Sequence, residues 1–286
     1  MVHSQTIFSI TREYIGSNTD YQPWRSRKIP LYIGHDRMRI SPPKTIITTH
    51  ERSKVVGKAF SEGCGGEIIH IAKLQMLASI GAIIPRIASY GILRGGGDGI
   101  KRARDYWHID HGYFLRSTLP EMYDGYYRIT QNNLWHNGKG DYPSDRFDSF
   151  NINLKDWRKT GEHIVIVPPS EYMEEFLGLE GWLKNTIAQL KKYTDRKIVV
   201  SSKYDNPIES VLPNAWALVT DHSNAGIDAL IEGIPVIFTN ITRSLGKIED
   251  IENPPMDRGF FKNLAYQQWT LEEIRSGEAW DYVGDM

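Results

Sequence analysis

One cysteine, Cys64, is all that 286 residues contain. A lone thiol closes no intrachain disulfide and builds no cysteine-based zinc site, so the expected compartment is a reducing cytoplasm. Charge of one sign is missing too: 34 Lys and Arg stand against 35 Asp and Glu, a net charge of −1. That balance excludes a protein that coats nucleic acid by charge alone, while leaving room for a local basic groove. No apolar run approaches the ~20 residues of a membrane-spanning helix. The opening MVHSQTIFSITREYIG lacks the basic start and apolar core of a signal peptide, and the expectation is a soluble protein. Internal repeats and low-complexity tracts are absent as well.

What is present is alternation. The length suits one large domain or two of ~120–160 residues. In the second half, HIVIVPP (163–169), KIVVSS (197–202), WALVTD (216–221) and PVIFTN (235–240) read as strands. Between them lie helical stretches at 172–193 and 224–232 and a short one in NPIESVLPNA. Strand and helix repeated in this order predict a doubly wound parallel sheet. The first half alternates less cleanly. IPLYIG (29–34) and KTIITTH (44–50) look like strands, and EIIHIAKLQMLASIG looks like a helix with Ile68, Ile71, Leu74, Leu77 and Ile80 on one stripe. AIIPRIASYGIL and YWHIDHGYF are further strand candidates. The fold class expected is α/β, with two Rossmann-like domains and NINLKDWRKTGE (151–162) as the join. The division is 1–155, 156–262, and a tail, 263–286, which analogy with two similar α/β domains, rather than any residue pattern, would return to brace the first domain. Thr270 and Glu273 form a capping box that starts a helix in that tail.

Aromatics are abundant, with eight Trp and fifteen Tyr. Residues 123–150 gather several of them among Asn, Gly, Asp and Arg with neither helical nor strand period, which predicts a long structured loop. The Gly-rich GILRGGGDG (91–99) matches no phosphate-cradle spacing and reads as a flexible loop whose Arg94 reaches the cleft.

Ligands of open α/β sheets bind beyond the carboxyl ends of the strands. The segments there are PPSEY (168–172), SSKYDNP (201–207), TDHSNAG (220–226) and TNITRS (239–244). In the third, Ser223 and Asn224 are preferred N-cap residues, and the unpaired amides that follow them make an anion site. The small Ala225 and Gly226 would let a phosphate approach, and Lys203, after the preceding strand, suits a diphosphate. The competing reading is a well-capped helix with Gly226 for close packing. In HIDHGYFLR (108–116), Asp110 beside His111 offers one group to take a proton and another to orient it. A buried polar cluster is the competing reading, and the spacing argues against a metal site.

ALVTDHSNAGIDALIEGIPVIF resembles the donor-binding segment of GT-B glycosyltransferases, with its strand, small polar turn, helix, Gly-x-Pro-Val and second strand. It is particularly similar to capsule-synthesis sugar transferases and to small phage-encoded glycosyltransferases. IDHGYFLRS (109–117) is similar to the Asp-Gly-aromatic-x-Arg motif of the capsule enzymes, with His111 before the glycine and Arg116 one residue late. The resemblance implies two Rossmann-like domains facing across a cleft, a nucleotide-sugar as co-substrate, no cofactor and no required metal. It places the donor on Lys203, His222, Ser223, Asn224, Ala225, Gly226 and Asp228, and catalysis on Asp110 or His111. Arg94, Tyr113, Arg116, Tyr127, Arg128 and Trp135 are the candidates for the acceptor side. The acceptor expected first is a hydroxymethylated base in phage DNA, because 123–150 interleaves aromatics with Arg128, Lys139 and Arg146 as a base-stacking surface would. A capsular or surface glycan is the alternative, followed by a nucleotide-sugar epimerase or a non-catalytic nucleotide-sugar-binding protein.

Overall fold

The computed structural model describes residues 41–82, 84–117, 123–202, 205–240 and 245–284. The strand expected at 29–34 lies outside them, as does Lys203.

The apolar runs of the sequence become two sheets. The first contains β1 (Lys44–Ile47), β2 (Ile68–His70), β3 (Arg86–Tyr90), β4 (Asp105–His111) and β5 (Tyr126–Gln131). The second contains β6 (His163–Val167), β7 (Lys197–Val200), β8 (Ala215–Thr220) and β9 (Val236–Phe238). β10 (Gln268–Thr270) returns to the first sheet, whose order is β2-β1-β3-β4-β5-β10; the second runs β7-β6-β8-β9. All pairings of the second sheet are parallel. Its central strands are covered on both faces, so they are apolar without alternation; Ile164, Val165, Ile166, Leu218 and Val219 are wholly buried. The first sheet is parallel through β4 and then turns antiparallel at β5 and β10.

Two α/β sheets and the returning tail match the fold class expected from sequence. A helix of the tail begins at the foreseen capping box, and the tail braces the first sheet with a strand as well as helices. Trp269 of β10 and Ile274 and Val283 beyond it pack with Phe60, Trp107 and Ile109. One further core crosses between the sheets, joining Tyr113 and Phe114 to Ile227, Leu230 and Phe238.

Four local expectations change. Residues 68–70 pair with β1 as a strand, and the helix starts only at Ile71; Ile68 and Ile80 of the supposed stripe are exposed. The helix expected at 172–193 is two, Glu171–Leu177 and Trp182–Leu190, because Gly178 and Gly181 turn left-handed at φ 68° and 80°. Gly96–Arg102 is a helix rather than a flexible loop. It lies against the second sheet's first helix, where Lys101 sits over the Phe176 ring and the Tyr172 hydroxyl donates to the Ile92 carbonyl at 3.0 Å. Finally, 123–150 holds strand β5 and the helix Asp145–Ser149. Among the described residues no helix is long and apolar enough to cross a membrane.

Candidate functional site

The carboxyl ends of β4, β6 and β8 converge on a pocket of about 260 Å³, where an open α/β sheet places its ligands. One wall is Asp110, His111, Arg128 and Trp135. The other is the turn Pro168–Ser170 and Met173 after β6, with Thr220, His222, Ser223 and Asn224 at the end of β8.

Alternation along β4 sends Asp110 and His111 to opposite faces of the sheet. Asp110 lies directly across from Arg128 on β5. Arg128 Nη2 donates to Asp110 Oδ2 at 2.7 Å and Nη1 to the His111 carbonyl at 2.9 Å. The His111 amide donates to Asp110 Oδ1 at 2.8 Å. Burial pushes the Asp110 carboxyl up, but Arg128, His108 and His111 outweigh it and hold it below the usual carboxylate range. The group is an ionised, oriented carboxylate. Arg128 is the cation that fixes it, buried at 5% side-chain exposure.

His111 is backed by residues distant in sequence. Arg52 Nη1 lies 3.1 Å and the Tyr90 hydroxyl 3.2 Å from its Nε2, and the ring stacks on Tyr127. A guanidinium only donates, so Nε2 accepts and the hydrogen of the neutral ring is on Nδ1. Burial lowers the His111 pKa, and Arg52, Arg116 and Arg128 lower it further against the pull of Asp110. Nothing in the local sequence signals Arg52 or Tyr90 as partners.

Across the cleft, Ser223 caps the helix Asn224–Ile231, its Oγ accepting from the Ala225 amide at 3.2 Å. Asn224 reaches over to the first sheet, its Nδ2 donating to the Gly112 carbonyl at 3.1 Å. Arg116 Nη2 donates to both carboxylate oxygens of Asp228 on the same helix, at 2.8 and 2.6 Å.

Solved structures that match this chain include two of similar kind. They are the beta Kdo 2,4 transferase of Thermosulfurimonas dismutans KpsC, at 14% identity and a TM-score of 0.44 over 78% of this chain and 89% of that one, and its beta Kdo 2,7 transferase, at 12% and 0.42 over 84% and 99%. No protein-family model and no curated protein matches the sequence. The fold is defined by this chain's own strand order.

The pocket brings together Asp110, His111, Arg128, Trp135, His222, Ser223 and Asn224 of the residues singled out in the sequence. The others stand elsewhere. Tyr127 and Tyr113 are fully buried, Tyr127 beneath His111 and Tyr113 with its hydroxyl 3.1 Å from His136 Nδ1; neither presents a surface to an acceptor. Arg116 and Asp228 are spent on each other. Arg94 is exposed and lines no part of the pocket. Ala225 gives its amide to the cap. Gly226 faces the sheet instead of a phosphate: a Cβ there would lie 2.5 Å from Phe238 Cζ and 3.2 Å from Val236 Cγ1. Packing explains this glycine. Gly226→Ala is expected to cost about 1–3 kcal/mol of stability, as overpacking does, read as a lower urea midpoint; a fully stable variant would return Gly226 to the ligand side.

Sequence reasoning left Asp221 unassigned. It is 3% exposed and accepts from His222, Thr239 and Asn240. The adjacent Asp-His pair just before an N-cap was the available signal. Among the described residues no group of three or more His, Cys, Asp or Glu is placed to hold a metal.

Proposed function

We propose that this chain is a glycosyltransferase moving a sugar from a nucleotide-sugar donor to an acceptor hydroxyl. One observation carries the reading: a capped helix start and a fixed, ionised carboxylate form opposite walls of a single inter-sheet pocket. The helix start at Ser223 and Asn224 suits the donor's phosphates through its partial positive charge. Asp110 faces the positive charge that develops on the anomeric carbon as the phosphate leaves. It takes the acceptor's proton once the new bond has made that hydroxyl acidic. His111, neutral and tied to Arg52, orients the sugar. Stabilisation of the departing phosphate supplies the largest part of the rate enhancement.

For the acceptor we favour a glycan hydroxyl over a DNA base. A base-stacking surface needs exposed aromatics and free cations. Here Tyr127, Trp135 and Phe150 are buried, Arg128 is paired with Asp110, and Arg146 with Glu273.

The test is a thermal-shift panel of UDP-, GDP-, CMP- and dTDP-sugars, followed by mass spectrometry of oligosaccharide and hydroxymethylated-DNA acceptors. A donor at 100 times its dissociation constant should add about 2.7 kcal/mol of stability. If none shifts the melting temperature, the reading fails. An epimerase or a non-catalytic binder would shift yet glycosylate nothing, and a labelled DNA product would reverse the choice of acceptor.

A further inference from the structure

The pocket contains a second acid–histidine arrangement, on the wall opposite Asp110. His222 Nδ1 lies 2.6 Å from Asp221 Oδ2. The same carboxylate accepts from Asn240 Nδ2 at 3.1 Å and from the Thr239 hydroxyl at 3.3 Å. Burial pushes Asp221 up, yet its bonds to His222, Asn240 and Thr239 bring it below the usual range. An ionised carboxylate only accepts, so Nδ1 of His222 carries a hydrogen whether the ring is neutral or charged. Proton exchange is confined to Nε2, which has no partner among the described residues. The ring itself is clamped: its centroid lies 3.9 Å from that of Trp135, which is 5% exposed.

A histidine oriented by a buried carboxylate, with its far nitrogen facing a cleft, is how general acids and bases are positioned on unrelated folds. Its place in the chain decides which. His222 immediately precedes the cap Ser223 of the helix Asn224–Ile231, the seat assigned above to the donor's phosphates. The atom nearest such a seat that needs a proton is the oxygen left behind when the sugar departs.

We infer that His222 is the general acid of the reaction, donating its Nε2 proton to the departing phosphate, with Asp221 as its positioning residue. The bond between the anomeric carbon and the phosphate oxygen breaks, and its electron pair stays on that oxygen, which takes the proton from Nε2. The acceptor oxygen bonds to the anomeric carbon and its proton passes to Asp110 across the cleft. His222 is left neutral, still donating from Nδ1 to Asp221, and regains an Nε2 proton from solvent as Asp110 releases the acceptor's proton to it. This assignment rests on the glycosyltransferase reading.

His222→Asn tests it, because the amide keeps a donor for Asp221 and removes the exchangeable proton. The readout is release of nucleotide from the nucleotide-sugar that best raises the melting temperature of the wild-type chain. Donor binding is followed separately by isothermal titration calorimetry. The expected result is a kcat lower by about 10²–10³-fold, a dissociation constant within about threefold, and loss of the limb of kcat that falls as pH rises. Asp221→Asn should lower kcat with little change in KM, through a misoriented ring. An unchanged kcat and pH profile in His222→Asn overturns the acid and leaves the transferase standing. A kcat loss that keeps the wild-type pH profile overturns it too, showing a purely structural role. A wild-type chain that binds and cleaves no nucleotide-sugar removes the parent reading and the acid with it.

Discussion

Asp110→Asn is expected to lower kcat for sugar transfer by about 10²–10⁴-fold while the donor still binds. The substitution keeps the shape of the side chain and an oxygen for Arg128, but removes the negative charge facing the anomeric carbon and the destination of the acceptor's proton. Donor affinity belongs to the opposite wall, at Ser223 and Asn224, so the loss should appear in kcat. Some stability should go as well, since Arg128, at 5% side-chain exposure, would keep a buried charge without its counter-ion. Breaking such pairs costs up to about 3–5 kcal/mol, so the assay belongs at a temperature where circular dichroism shows the variant folded. The pH dependence has a definite sign. The Asp110 pKa in the folded chain lies below its ordinary value of ~3.9. Its contribution to stability is full above that ordinary value and disappears as pH falls through the lower, folded one. The Asp110→Asn variant should lack this acid-side decline. A transfer rate within threefold of wild type would remove Asp110 from the chemistry.

Trp269→Ala should produce the largest loss of stability, about 3–5 kcal/mol, read as a melting temperature lower by roughly 10 °C. Trp269 is 2% exposed, sits on β10 across from Tyr127, and packs against Tyr282. Removing the indole opens a cavity between β5 and the helices that follow β10. The same helices hold Trp107 through its Nε1 donation to the Val283 carbonyl at 3.2 Å. The damage should therefore spread to the middle of the first sheet, and amide exchange in β5 should quicken. A loss under 1 kcal/mol would mean that the tail is an ornament on a self-sufficient sheet.

The second sheet was legible in the sequence because its central strands are buried on both faces and so read as unbroken apolar runs. β6, β8, the helix Asn224–Ile231 and β9 fall within a residue or two of where HIVIVPP, WALVTD and DHSNAGIDALIEGIPV put them. The first sheet was harder, for a physical reason at each place. β2 is three residues long and runs straight into a helix, so one apolar run serves two periods. β5 carries Tyr126, Tyr127, Arg128 and Gln131; its arginine is buried only because Asp110 stands opposite, and no local pattern reveals a partner 18 residues away. β10 is three residues whose pairing is made entirely through tertiary contact. The pocket behaves likewise. Its second-sheet wall comes from two short strand-end segments, PPSEY and TDHSNAG, and both could be named from sequence. Its first-sheet wall depends on Arg52 and Tyr90, which reach His111 only once the chain has folded.

The insertion of β10 beside β5 also bears on how the chain is made. β5 is translated about 140 residues ahead of the strand that covers its edge, a delay on the order of ten seconds at ribosomal speeds. Throughout that interval the second sheet can assemble while the first still shows an open strand. The sheet whose strands are synthesised first is thus the one closed last.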